Sequence, residues 1–99
     1  MNEFFDRAKR YHEAIRMVLL CEWDPIGIAH IPEAQDEYDG YVSEIYGMLI
    51  RHSTKQELFE HLWWIETQHM GLYGNRLKTE AIAERLCGIR EGIERGSSA

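Results

Sequence analysis

Apolar residues recur at intervals of three and four along almost the whole chain, and this spacing restricts the fold more than any other feature. Phe4, Ala8, Tyr11, Ile15 and Val18 make the first such stripe, with Phe5, His12 and Leu19 beside it. Side chains so spaced share one face of an α-helix. No stretch alternates apolar and polar residues between turn signals, as a half-buried strand would. The expected fold class is all-α: a compact bundle of about four helices. With 99 residues the chain reads as a single helical domain, 1–99, since a second core would have too little surface to bury.

The breaks in the pattern order the helices. Helix one is expected over 1–22, with Asn2 placed to cap it and Pro25 to stop it; from Met17 onward it is apolar around most of its circumference. A connector over 23–32 contains two prolines and Gly27, yet Trp23, Ile26, Ile28 and Ile31 are large and apolar. It is therefore expected to lie packed on the helices. Helix two is expected over 33–52, burying Tyr38, Tyr41, Val42, Ile45, Met48 and Leu49, with Gly40 and Gly47 on its other face. Helix three, over 54–70, has capping-box spacing at either Ser53/Gln56 or Thr54/Glu57. One of its stripes is Leu58, Leu62, Ile65 and His69; a second is Phe59, Trp63 and Met70. The stretch 71–75 (GLYGN) breaks the chain. Helix four, 75–95, packs Ile82, Leu86, Ile89 and Ile93, leaving 96–99 as a frayed tail.

Within the connector each residue of Trp23-Asp24-Pro25-Ile26-Gly27 has a structural task. Asp24 can cap a turn through its carboxylate, Pro25 fixes φ, and Gly27 permits a conformation that other residues resist. Trp23 supplies a large apolar area and needs a partner for its indole N–H. This pentapeptide, followed by Asp36-Glu37-Tyr38-Asp39 and an I-x-x-x-L pattern at Ile45 and Leu49, resembles a family of small bacterial helical domains. The resemblance covers residues 20–72. It implies an all-helical intracellular protein, and some similar small acidic proteins are immunity partners of toxins.

Several chemistries lack their residues. There is no G-x-S-x-G nucleophile turn, and the glycines of 71–75 lack the Lys-Ser/Thr end of a phosphate loop. Cys21 and Cys87 stand far apart with no second cysteine nearby, which suits a reducing compartment rather than a disulfide or zinc site. The N-terminus has no apolar segment of signal-peptide length, and the longest apolar run, 17–21, is far below the roughly 20 residues that span a bilayer. A cytoplasmic location is expected, with no cofactor. Glu66-x-x-His69 has the spacing of helical di-iron ligands, but such sites need two of these motifs plus two further inward glutamates. Only one is present, and Glu13 and Glu44 lie off their stripes. No catalytic or metal-ligating residue is nominated, and a metal-dependent enzyme using Glu66 and His69 is the third reading.

Charge is more telling. The net charge is −6, which disfavours nucleic acid or an anionic membrane as partner. Residues 22–66 hold ten acids and two bases, while the segments on either side each carry +1. Asp36, Glu37 and Asp39 crowd the head of helix two, beyond what dipole complementarity needs. On helix three Trp64 falls on the polar side among Glu57, Glu60, His61 and Gln68. Tryptophan anchors interfaces, and an acidic rim selects a basic partner. The leading expectation is a non-enzymatic, acidic protein-binding module. Its most concrete form is an immunity- or antitoxin-like inhibitor covering the basic site of a nuclease-type toxin, with Asp36, Glu37, Asp39, Glu57, Glu60 and Trp64 as partner-binding residues. The alternative is a structural or homo-oligomeric helical domain with no partner toxin.

Overall fold

The first apolar stripe folds as α1, Glu3–Met17, and the helix continues as a π-helical turn over Val18–Trp23. The computed structural model describes residues 3–97, with side chains described for 5–95; the expected cap Asn2, the side chain of Phe4 and the tail residues 98–99 lie outside these. The change of winding follows from the sequence. Val18, Leu19 and Leu20 are consecutive and all buried, as is Trp23. Regular α-winding would fan three successive side chains over more than half a turn. The wider turn, closed by Asp24 N–H on the Leu19 carbonyl (2.9 Å), keeps all four against the core while Met17 and Cys21 face solvent. Helix one thus ends at Trp23.

The connector packs less completely than its composition suggests. Trp23 and Ile28 are buried, whereas Ile26 and Ile31 remain exposed. Helix two also starts later than expected. Pro32–Ala34 form one 3-10 turn, and α2 proper runs only over Asp39–Ile50. The cause is Gln35, whose side-chain amide donates to the carbonyls of Ala29 (2.9 Å) and Ile31 (3.0 Å). It folds residues 28–38 into successive turns.

Helix α3, Lys55–Trp64, begins with the Thr54/Glu57 capping box. Glu57 N–H donates to Thr54 Oγ1 (3.1 Å) and Thr54 N–H to Glu57 Oε1 (2.7 Å). It too continues as a π-helical turn, Ile65–His69, closed by Met70 N–H on the Ile65 carbonyl (2.8 Å). A π turn contains an extra residue and displaces everything after it. The expected stripe Leu58/Leu62/Ile65/His69 therefore fails at its last member, which is exposed, whereas Phe59, Trp63 and Met70 of the second stripe are all at least half-buried and Glu66 is buried between the two.

Helix α4, Arg76–Ser97, runs through Gly96 rather than ending there and packs against α1, α2 and α3. Among the described residues there is no strand, and no helix is long and apolar enough to cross a membrane. Tyr11, Ile15, Leu19, Ile45, Leu49, Leu58, Leu62 and Leu86 form the centre of the core.

Two substitutions separate packing from capping. Ile45→Ala, at a fully buried site, lowers unfolding free energy by about 2–5 kcal/mol. Thr54→Ala removes the cap and costs about 1 kcal/mol. Urea unfolding of both variants measures the difference.

Candidate functional site

The two π turns bring Trp23 and Glu66 together, and a polar cluster forms where α1, α3 and α4 meet. Glu66 is 3% exposed. Its Oε1 accepts the Trp23 indole N–H and the Thr79 hydroxyl, each at 2.5 Å. Thr79 lies in the opening turns of α4, whose first residue follows Asn75; Asn75 Oδ1 accepts from Lys78 N–H (3.1 Å). One carboxylate oxygen thus ties three elements together.

Asp24 extends the cluster into the connector. It ends the π turn of α1 in the left-handed region (φ 32°, ψ 60°), where aspartate is one of the few tolerated non-glycine residues. Its carboxylate accepts from Ile28 N–H (2.7 Å), Ala29 N–H (3.0 Å) and the Tyr38 hydroxyl (2.8 Å). Burial by itself would raise its pKa. The hydrogen bonds from Ile28, Tyr38 and Ala29, together with the charge of Lys78, outweigh that and hold the carboxyl below its ordinary value. Burial and the bond to Asp24 push the Tyr38 phenol up, so it stays a donor. The expected capping role of Asp24 and the need of Trp23 for an acceptor are both met.

Between Trp23, Asp24, Pro25, Glu66, Leu72 and Lys78 lies a cleft of about 230 Å³. Gly74 forms part of its wall at φ +80°, and a Cβ there would stand 2.8 Å from the Trp63 ring, so only glycine fits this close approach.

A second arrangement lies on the outside of α2 and α3. Trp64, 53% exposed, stacks on the His69 imidazole (5.8 Å, 18° between planes), and His69 meets Tyr41 edge-on at 6.1 Å. Glu44 Oε2 lies 3.0 Å from His61 Nε2. Burial, with the negative charges of Glu44 and Glu37, pushes the Tyr41 phenol up. Of the residues nominated from sequence, Trp64 belongs to this aromatic surface, with Glu60 at i, i+4 from it on α3; Glu37 is exposed before α2. Three of the nominated carboxylates already have partners. Asp39 pairs with Arg16 (3.0 Å), Glu57 serves the capping box, and Glu60 accepts from Gln56 (3.0 Å). Asp36 is exposed at the turn before α2. The contacts of His69 with Tyr41 and with Trp64, and of Glu44 with His61, were not foreseen from the sequence. The i, i+4 relation of Tyr41 and Ile45 marked Tyr41 only as core.

The Glu66-x-x-His69 pair separates. The carboxylate turns inward to Trp23 and Thr79, the imidazole outward to Trp64. Among the described residues no group of three or more His, Cys, Asp or Glu side chains is placed to hold a metal ion.

The lowered pKa of Asp24 has a pH signature. Its contribution to stability is complete above the unfolded-chain value of about 3.9 and is lost as pH falls through the lower folded-state value. Asp24→Asn removes this part of the acid limb, so the variant's unfolding free energy falls less steeply below about pH 4 than that of the parent, measured by urea titrations across the range.

Comparison with protein-family models, with curated proteins and with solved structures finds no match to this chain.

Proposed function

We propose that this protein is a small acidic protein-binding module whose partner is basic, and most concretely an immunity- or antitoxin-like inhibitor that covers the cleft of a nuclease-type toxin. The observation that carries this reading is the half-exposed Trp64 stacked on His69, which in turn meets Tyr41 edge-on. A large indole held in place before binding loses little conformational freedom on contact. Central aromatic side chains of this kind dominate interface energies. Glu37, Glu44 and Glu60 supply the negative rim, and a toxin that grips nucleic acid must present positive charge. The resemblance of the W-D-P-I-G and D-E-Y-D elements to small bacterial helical proteins agrees with this direction.

The test uses the purified product of a toxin-like reading frame adjacent to the gene for this chain, assayed for nuclease activity as the chain is titrated in. Stoichiometric inhibition is expected. Trp64→Ala weakens it roughly 30-fold or more, the range of an interface anchor. Glu37→Lys with Glu60→Lys slows association most at low salt. Uninhibited nuclease, or inhibition indifferent to all three substitutions, overturns the proposal. A concentration-dependent mass by sedimentation that Trp64→Glu abolishes would instead make this surface a contact between two copies of the chain.

A further inference from the structure

The cleft beside Glu66 is built around a carboxylate that lacks a countercharge. Both hydrogen bonds to Glu66 go to Oε1; none among the described residues reaches Oε2, and no ion pair among them includes Glu66. Oε2 lies against the cleft wall, 3.2 Å from the position a Cβ on Gly74 would take. A buried carboxylate is costly unless it is both hydrogen-bonded and charge-matched. Neutral donors meet the first need only. The start of α4 contributes about half a positive charge at most.

Two acids and one base line this cleft. The Asp24 carboxylate already accepts three hydrogen bonds from the chain. That leaves Glu66 Oε2 as the carboxylate oxygen with no donor among the described residues, open to a cleft whose lining has one more acid than bases. At about 230 Å³, and with a water molecule occupying about 30 Å³ of liquid, the space suits a head group and a short stem rather than a large molecule. Pro25 and Leu72 offer apolar contact for such a stem.

We propose that this cleft binds a monocationic nitrogen head group, guanidinium or alkylammonium, with Glu66 Oε2 as its acceptor. The inference goes beyond the acidic-aromatic surface and does not depend on it. The head group has two chemical sources, a free small amine or guanidine and an arginine or lysine side chain presented by a protein.

Trp23 is the natural reporter, because its indole N–H donates to the same carboxylate. Methylguanidinium chloride is titrated into the ¹⁵N-labelled full chain against sodium chloride at equal ionic strength, and the indole cross-peaks of the three tryptophans are followed by NMR. A saturable shift of the Trp23 peak is expected. Glu66→Gln keeps a carbonyl oxygen for Trp23 and Thr79 but turns Oε2 into a donor, so the fold survives and affinity drops roughly tenfold or more. Lys78→Gln removes the rim cation from an exposed position and tightens binding a few-fold; a cleft for anions would respond in the opposite sense. That sign holds the test open even if Glu66→Gln does not fold. A linear response matching sodium chloride, or weaker binding in Lys78→Gln, overturns the proposal. A blocked Gly-Arg-Gly peptide then separates the sources: tighter binding than methylguanidinium assigns the site to a protein side chain, weaker binding to a free small cation.

Discussion

A single buried carboxylate holds this bundle in register. Glu66 accepts from the end of α1 through Trp23 and from the start of α4 through Thr79, while its own backbone belongs to the continuation of α3. Apolar contacts alone are non-directional and would let these three elements slide. Two short hydrogen bonds converging on one oxygen do not. The same carboxylate fixes the entrance of the connector, since Trp23 and Asp24 are adjacent and Asp24 in turn gathers Ile28, Ala29 and Tyr38. Removing either neighbour of Glu66 would leave a buried charge short of donors, a larger cost than the loss of one contact.

The inner cluster and the outer surface have a common origin in the π turn Ile65–His69. Glu66, in the first half of that turn, faces Trp23, and the widening carries His69 out to meet Trp64 and Tyr41. Thr67 takes part: its hydroxyl donates to the Trp63 carbonyl (2.7 Å), a side-chain bond of the kind that bends helices. Widened turns of this type are frequent at functional sites. Here one turn supplies both a charged cleft and a braced tryptophan, so a partner seated on the surface would bear on the turn that positions the cleft.

The helices were legible in sequence because amphipathic spacing is a local property. Leu58, Leu62 and Ile65 fall inside where the period puts them, and Asp24 before Pro25 announces a capped turn. Glu66 was not legible. Even winding already puts it between Leu62 and Phe59, but a glutamate there gives no sign of its partners, Trp23 and Thr79, which are distant in the chain. The late start of α2 was hidden for a related reason. Helix propensity at 33–38 is adequate, but the Gln35 amide meets three carbonyls of the preceding turns, and those bonds outweigh an early start. Among the nominated residues, charge and spacing marked Glu37, Glu60 and Trp64 as surface positions, and all three are exposed. They could not reveal that Asp39 turns to Arg16, a contact between helices.

A π turn contains one residue more than the α-turn it replaces. The turn after Trp64 is thus equivalent to a one-codon insertion in the gene for a straighter helix, and that codon decides what faces inward downstream. Unbroken winding would give the half-buried place to the imidazole of His69; here the thioether of Met70 has it. A relative without the codon would differ little in composition yet present another chemistry at that position. Pairing the two chains column by column, with no gap at this turn, would equate side chains that point in opposite directions.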